Sequence, residues 1–416
     1  MSKSKNILFL MSGSIAVPKA ITLLNMLLKE GFIVRVACTD STFNFIDKDE
    51  IEKLTGFPVI HKNFQNNLDM EHINLGRWAD LCLLCPATAN TINHLSYGSG
   101  DNIVGTLFLA YELGKKPFVI APAMNTQMYH NPATQASLSK LKKWGLDVLP
   151  TNFGELACGE VGEGRLLEPD FIFSYIKNKF FNSNKKMRVL ITAGATKESI
   201  DGVRFITNFS TGNTGAKISD ELTLLGCDVT LVKAQSGASP KYTDNIVEFT
   251  SFKGLNETLK KELSATSYDA VIMTAAISDF SIDSLNINEQ TLSPATGLKL
   301  SSNDNISINL KKNFKIINKL NDYSKNKNLK IIAFKLTKTL DEKLRAKAID
   351  KLMSNSDINM VIHNDLHQIE DNNHVFNIHS NKHNNQNGMD LYSMVNAINN
   401  LIQENQIKSK LKDTQL

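Results

Sequence analysis

The 416 residues are too many for one ordinary hydrophobic core, so two domains are expected. Apolar residues make up 42% and charged residues 21%, the balance of a globular chain that folds in water. Lysine and arginine (46) barely exceed aspartate and glutamate (42), and a formal charge of +4 with no basic helix face argues against a nucleic-acid partner.

The apolar stretch near Met1 is too short for a signal peptide and lacks a small-x-small cleavage site. No apolar run approaches the roughly 20 residues needed to cross a bilayer, so no membrane partner is expected and a cytoplasmic location is. Ile7–Met11 reads as a buried strand, Ser12–Ala16 as a small-residue turn, and the next residues to about Glu30 as an amphipathic helix ended by Gly31. Phe32–Ala37 then reads as the next strand. Strand, turn, helix, strand opens a doubly wound α/β sheet. A small-residue turn at a helix N-terminus offers N–H groups to a phosphate, although many such turns bind nothing. It is not GxGxxG, so dinucleotide binding is not implied. Thr39, after the second strand, adds a hydroxyl at the same end.

His72 lies in Glu71–Asp80, just before the apolar run Leu81–Cys85. Cys82 and Cys85 have the spacing of a redox or zinc pair, but an apolar strand-like run argues for core. The five cysteines supply no second pair, and nothing suggests an oxidising compartment. Phe118–Ala121 reads as another buried strand, with Asn125 just beyond its end. Cys158 sits among glycines 154, 159, 162 and 164. On pattern alone this is either a mobile lid whose thiol delivers a proton or a surface loop with an incidental cysteine.

Two stretches carry a resemblance. Pro122–Tyr129, which includes Met124 and Asn125, resembles the substrate clamp of FMN-dependent cysteine decarboxylases, and Ala157–Arg165 resembles the loop bearing their proton-donor cysteine. From about Lys5 to about Leu401 the chain resembles bifunctional coenzyme A biosynthesis flavoproteins, in which a phosphopantothenoylcysteine decarboxylase is fused to a phosphopantothenate–cysteine ligase. The resemblance implies an FMN phosphate at Gly13, Ser14 and Thr39, with Thr88 and Asn102 lining the flavin site. It makes Asn125 the holder of the substrate carboxylate, His72 a base or positioning group and Cys158 the proton donor.

Lys177–Lys186 breaks the periodicity and reads as a linker. Met187–Gly194 restarts a strand, and the Leu222–Gly226 helix end followed by Cys227–Val232 echoes the first half. Ser210, Thr211, Gly212 and Gly215 open a helix, either a triphosphate cradle or a structural turn. Here the resemblance is to the ligase signature. It implies that Asn208 positions the pantothenate carboxylate or the acyl-nucleotide, that Arg204 supports it, and that Ser210 and Gly212 meet phosphates. Ala275, Ala276 and Asp279 would contact the nucleotide, Phe334 would stack on it, and Lys351 would approach it. Lys299, on a looser alignment, matches the catalytic lysine. His363–Asp365 and Asp371–Asn373 match later signatures. The chain departs from the family at Asn313–Ile316 (often Asn-Pro-Asp-Ile), lacks the usual acid at Leu336–Thr337, and has Leu352 and Ser356 where lysines are usual.

Histidines 363, 367, 374, 379 and 383 lack a fixed ligand spacing, so no metal site is expected there. Gln403–Leu416 reads as a frayed tail. The expected organisation is therefore a flavoprotein domain (1–178), a linker (179–186), a ligase domain (187–404) and a tail (405–416), both domains doubly wound and Rossmann-like. The implied function is CTP-dependent joining of 4'-phosphopantothenate to L-cysteine with Mg2+, then FMN-dependent decarboxylation, in homo-oligomers of flavoprotein trimers linked by ligase dimers. Two alternatives stay open: a working decarboxylase with an impaired ligase half, and a non-enzymatic phosphatase regulator.

Overall fold

The structure is a computed structural model that describes residues 5–62, 71–157, 159–180, 186–288, 290–293, 300–301, 305–368, 374–380 and 385–413. The chain divides into two compact units, Met1–Phe181 and Asn182–Leu416.

The first unit is built on strands β1 (Asn6–Met11), β2 (Ile33–Cys38), β3 (Leu81–Ala87), β4 (Phe118–Pro122) and β5 (Asp147–Val148). They form one parallel sheet in the order β2-β1-β3-β4-β5. The runs read as buried strands are continuous rather than alternating because helices cover both faces of a parallel sheet. The helices are α1 (Val17–Lys29), α2 (Lys48–Thr55), α3 (Glu71–Trp78), α4 (Ala89–Tyr97), α5 (Ile103–Ala110), α6 (Thr126–His130), α7 (Pro132–Lys143) and α8 (Pro169–Phe180). Helix α1 buries Val17, Ala20, Leu23, Leu24 and Leu27, the spacing of one helical face. Each fully buried leucine there contributes roughly 1.5–3 kcal/mol.

Cys158 falls outside the described residues, but its flanks form an antiparallel hairpin, β6 (Asn152–Glu155) and β7 (Val161–Arg165). Two of its glycines serve close approach. A Cβ on Gly162 would lie 2.3 Å from Thr126 Oγ1, and one on Gly164 2.4 Å from the Met124 carbonyl.

The second unit contains β8 (Arg188–Ala193), β9 (Lys197–Ser199), β10 (Phe205–Thr207), β11 (Asp228–Ala234), β12 (Asn245–Phe249), β13 (Ala270–Met273), β14 (Phe280–Ile287), β15 (Gln290–Leu292), β16 (Ile306–Lys312), β17 (Lys330–Thr337), β18 (Ile358–Asp365), β19 (Phe376–His379) and β20 (Gln386–Met389). Its main sheet runs β12-β11-β8-β13-β17-β18-β19-β20, parallel up to β18 and antiparallel beyond. The helices are α9 (Asn213–Leu224), α10 (Phe252–Ala265), α11 (Leu320–Tyr323), α12 (Glu342–Met353) and α13 (Leu391–Asp413). β8, α9 and β11 repeat the layout of β1, α1 and β2.

Two segments differ from the sequence reading. Helix α8 continues through Lys179 and Phe180, inside the expected linker; residues 181–185 lie outside the described part. Residues 403–413, expected to be frayed, continue α13. Glutamine, lysine, leucine and glutamate dominate that stretch and no glycine or proline interrupts it, which favours helix.

Candidate active sites

In the first unit four of the expected flavin residues, Gly13, Ser14, Thr39 and Thr88, stand just past the C-terminal ends of β1, β2 and β3. Ser12 Oγ donates to the Pro86 carbonyl at 2.8 Å and accepts the Thr88 N–H at 3.0 Å, which ties the ends of β1 and β3 together. Thr88 caps α4 by accepting the Thr91 N–H at 3.4 Å. The Thr39 N–H donates to the Met11 carbonyl at 3.0 Å, and Thr39 Oγ1 lies 2.9 Å from Ser41 Oγ. Gly13 closes against this hydroxyl cluster, where a Cβ would stand 2.5 Å from the Ser41 carbonyl oxygen. Ser14 Oγ accepts the Ala16 N–H at 3.2 Å at the entrance to α1, whose N-terminus has no side-chain cap. A glycine whose missing side chain leaves room, hydroxyls around it and a helix N-terminus behind it fit the phosphate of a flavin nucleotide. Asn102 caps α5 by accepting the Gly105 N–H at 3.0 Å. Gly105 must be glycine, because a Cβ would lie 2.2 Å from the Ser99 carbonyl.

Asn125 caps α6, accepting the Gln127 N–H at 2.8 Å, while its amide donates to Glu160 Oε2 at 2.8 Å. The hairpin is held by two further bonds, Met124 N–H to the Gly164 carbonyl (2.9 Å) and Thr126 Oγ1 to the Glu163 carbonyl (2.7 Å). Glu160, two residues beyond Cys158, therefore places a carboxylate on the amide assigned to the substrate carboxylate. His72 lies in the first turn of α3. The far end of that helix is capped by the Lys116 ammonium, which reaches the carbonyls of Gly76 (3.1 Å), Arg77 (2.7 Å) and Ala79 (2.8 Å). Cys82 and Cys85 are buried in β3, and burial pushes both thiols up, as it pushes Cys38 up to about 12. This is core chemistry rather than a redox pair.

In the second unit the ends of β8 and β13 are stitched together. The Ala275 N–H donates to Thr192 Oγ1 at 3.2 Å, and the Ala276 N–H to the Gly194 carbonyl at 2.8 Å. Gly212, at φ 76°, caps α9, and a Cβ on Gly215 would lie 2.6 Å from Ala193 Cβ and from Thr274 Oγ1, so α9 can start directly over these strand ends only with glycine there. Ser210 is half-buried and Asn208 exposed. Asp279 is paired with Lys315, which stands where the family often has an acid. Phe334 lies on β17 with its ring 6.4 Å from Phe376, and Lys351 is exposed on α12. Lys299 and Asp371–Asn373 lie outside the described residues.

Several contributors escaped the sequence reading. Ser12, Lys116, Glu160 and Lys315 act through partners far along the chain. Asp201, three residues before Arg204 with a glycine between, had a local signal, since short acidic residues favour such turns. Asp365 is buried; burial pushes its carboxyl up, but the Thr337 hydroxyl and the N–H groups of His367 and Thr339 outweigh that and hold it low. With its one proton given to Asp365, Thr337 Oγ1 receives the His363 Nε2–H at 2.8 Å. Among the described residues no group of three His, Cys, Asp or Glu is placed to hold a metal ion. On α9, Glu221 is buried with no hydrogen-bond partner for Oε2 among the described residues, and burial, then Asp220, pushes its carboxyl up to about 8.

Two α/β units, one whose strand-end turn fits a flavin phosphate and one with a glycine-started helix over its strand ends, fit a two-domain flavoprotein. The family model described as Flavoprotein matches residues 1–181, and that described as DNA/pantothenate metabolism flavoprotein C-terminal domain matches residues 184–405. The coenzyme A biosynthesis bifunctional protein CoaBC of Vibrio cholerae is 34% identical over 366 residues, spanning 87% of each chain. That of Bacillus subtilis is 37% identical over 287 residues, 67% of this chain and 70% of that protein. A solved PPC decarboxylase mutant complexed with pantothenoylaminoethenethiol is 30% identical and covers 44% of this chain and 100% of its own, with a TM-score of 0.40. The chain belongs to the bifunctional coenzyme A biosynthesis proteins, enzymes with a decarboxylase and a ligase domain.

Proposed function

We propose that the second unit joins 4'-phosphopantothenate to L-cysteine through an acyl-cytidylate, with CTP entering as its magnesium complex, and that the first unit decarboxylates the product to 4'-phosphopantetheine. The observation that carries this reading is the convergence of Gly13, Ser14, Thr39 and Thr88 on the strand ends of one sheet, with the Asn125 amide engaged by the hairpin that bears residue 158. The reading divides the chain at the 179–186 segment, with 1–178 as decarboxylase and 187–404 as ligase.

In the first unit, bound FMN would supply the two-electron sink without which loss of CO2 leaves an unstabilised carbanion. The chain's own residues do the rest. Gly13 and the hydroxyls of Ser14 and Thr39 hold the phosphate, and Thr88 and Asn102 line the flavin site. Asn125 orients the substrate carboxylate, its amide donor being the group already seen on a carboxylate, that of Glu160. His72 takes or positions a proton in the oxidative half, and Cys158 returns one in the reductive half, as a thiol titrating nearer neutrality than a hydroxyl can.

In the second unit the N-terminus of α9, with Ser210 and Gly212, receives phosphate oxygens. Lys299 follows the charge that develops as pyrophosphate leaves, and Asn208 holds the acyl-nucleotide until the cysteine amine attacks. Ala275, Ala276, Asp279, Phe334 and Lys351 surround the nucleotide. A reduced thiol at residue 158 suits the cytoplasm, and the assembly is read as flavoprotein trimers linked by ligase dimers.

The test is direct: purified protein should be yellow and should release pyrophosphate from CTP only when given phosphopantothenate, with acyl-cytidylate trapped when cysteine is withheld. A yellow protein that decarboxylates but releases no pyrophosphate would leave the decarboxylase standing and remove the ligase. A colourless, inactive protein would remove both.

A further inference from the structure

Asp201 closes the turn between β9 and β10, and its side chain is 1% exposed. Its Oδ1 accepts the N–H groups of Val203 at 2.8 Å and Arg204 at 2.6 Å. Its Oδ2 accepts Arg204 Nη1 at 3.2 Å and the Leu300 N–H at 3.2 Å. The same Nη1 donates to the Leu300 carbonyl at 3.4 Å. One carboxylate thus joins the Arg204 turn to a segment 99 residues further along the chain, immediately after Lys299 in sequence. The N–H groups of Arg204 and Val203 hold the carboxyl below its ordinary value, so it is ionised at neutral pH. The Arg204 side chain remains 51% exposed, as expected of a cation that meets its ligand from solvent.

We propose that Asp201 is a positioning residue of ligation: it fixes the Arg204 guanidinium and the Leu300 main chain to one turn, so that anionic 4'-phosphopantothenate meets an already aimed cation. The inference rests on the proposed role of Arg204 in meeting this substrate. A flexible arginine must otherwise lose rotamer freedom on binding. A negative charge is the right anchor, because charge-assisted bonds are roughly twice as strong as neutral ones. Asparagine at 201 keeps the Oδ1 contacts but turns an NH2 group against two donors, the Leu300 N–H and the guanidinium.

The experiment uses the full chain and measures initial rates of pyrophosphate release while CTP and 4'-phosphopantothenate are varied in turn. Asp201→Asn should raise KM for 4'-phosphopantothenate by about tenfold, the loss of one charge-assisted contact, with KM for CTP unchanged. CO2 release by the first unit, an internal control on the same chain, should be unchanged. Arg204→Ala should raise the same KM, and Asp201→Asn added to it should cost nothing more. If Arg204→Ala leaves that KM unaltered, Arg204 has no part in substrate binding and the reading beneath the inference fails. If Arg204→Ala raises it but Asp201→Asn does not, or the two effects multiply, Asp201 does not act through Arg204 and the inference alone is overturned. A general loss, with kcat falling, both KM values rising and the second unit melting earlier, would make Asp201 a folding residue and overturn it too.

Discussion

Both main sheets begin with a strand that ends in a small-residue turn, and they differ in the length of chain between that turn and the next helix. After β1, residues 12–16 lead straight into α1; after β8, residues 194–212 intervene before α9 and include the β9–β10 hairpin. The short turn makes a cradle from neighbours on adjacent strand ends. The long one carries Arg204 and Asn208, and anchors Arg204 through Asp201 to Leu300. One candidate site is assembled by strand topology, the other leans on a bond between residues 99 apart in the chain.

If the two sites are as separate as this difference makes them, single substitutions should silence one and spare the other. His72→Asn should abolish CO2 release with flavin still bound and pyrophosphate release intact; loss of flavin would make His72 structural. Lys299→Gln should do the reverse, lowering pyrophosphate release about 100-fold, the scale of one transition-state contact. Full ligase activity in that variant would point to a different lysine.

Gly13→Ala tests the strand-end cradle itself. The added carbon meets the Ser41 carbonyl oxygen, a backbone atom that cannot rotate away. Overpacking of this kind costs roughly 1–3 kcal/mol, so flavin should be retained about tenfold less well, read from visible absorbance after dialysis. Unchanged retention would mean that the turn does not shape the phosphate site.

Glu221 sharpens the contrast by pH. Its carboxyl, raised from 4.5 to about 8 by burial and then Asp220, binds its proton more tightly folded than unfolded. Stability is therefore full below the unfolded value and declines as pH rises from there through about 8. Glu221→Gln should flatten that decline in the thermal transition of the second unit and leave the first unit's transition alone. A parallel decline in the variant would place the titrating group elsewhere.

The smallest effect is expected at Glu160. Removing a carboxylate that occupies the Asn125 amide should lower KM for 4'-phosphopantothenoylcysteine about threefold, since an exposed hydrogen bond contributes little net energy. A rise in KM would show that Glu160 helps to hold substrate.

The sequence was most legible where chemistry is local. The β1 turn and the glycine start of α9 lie next to the elements they serve, and period and residue type expose them. Ser12, Lys116 and Glu160 take their roles from partners dozens of residues away, which no spacing rule records. The flanks of residue 158 pair as a hairpin in which Gly162 and Gly164 relieve crowding, a fact of the neighbouring segment Met124–Thr126 that the glycine pattern alone does not show.

That hairpin also carries a prediction about inheritance. Along β7, Val161 and Glu163 face outward while Gly162 and Gly164 are pressed against Thr126 and Met124 without room for a methyl group. A saturation library across this strand, selected for growth, should therefore show alternating tolerance: free drift at 161 and 163, near-total purging at 162 and 164. The strand's pleat would appear as a rhythm in the surviving genotypes.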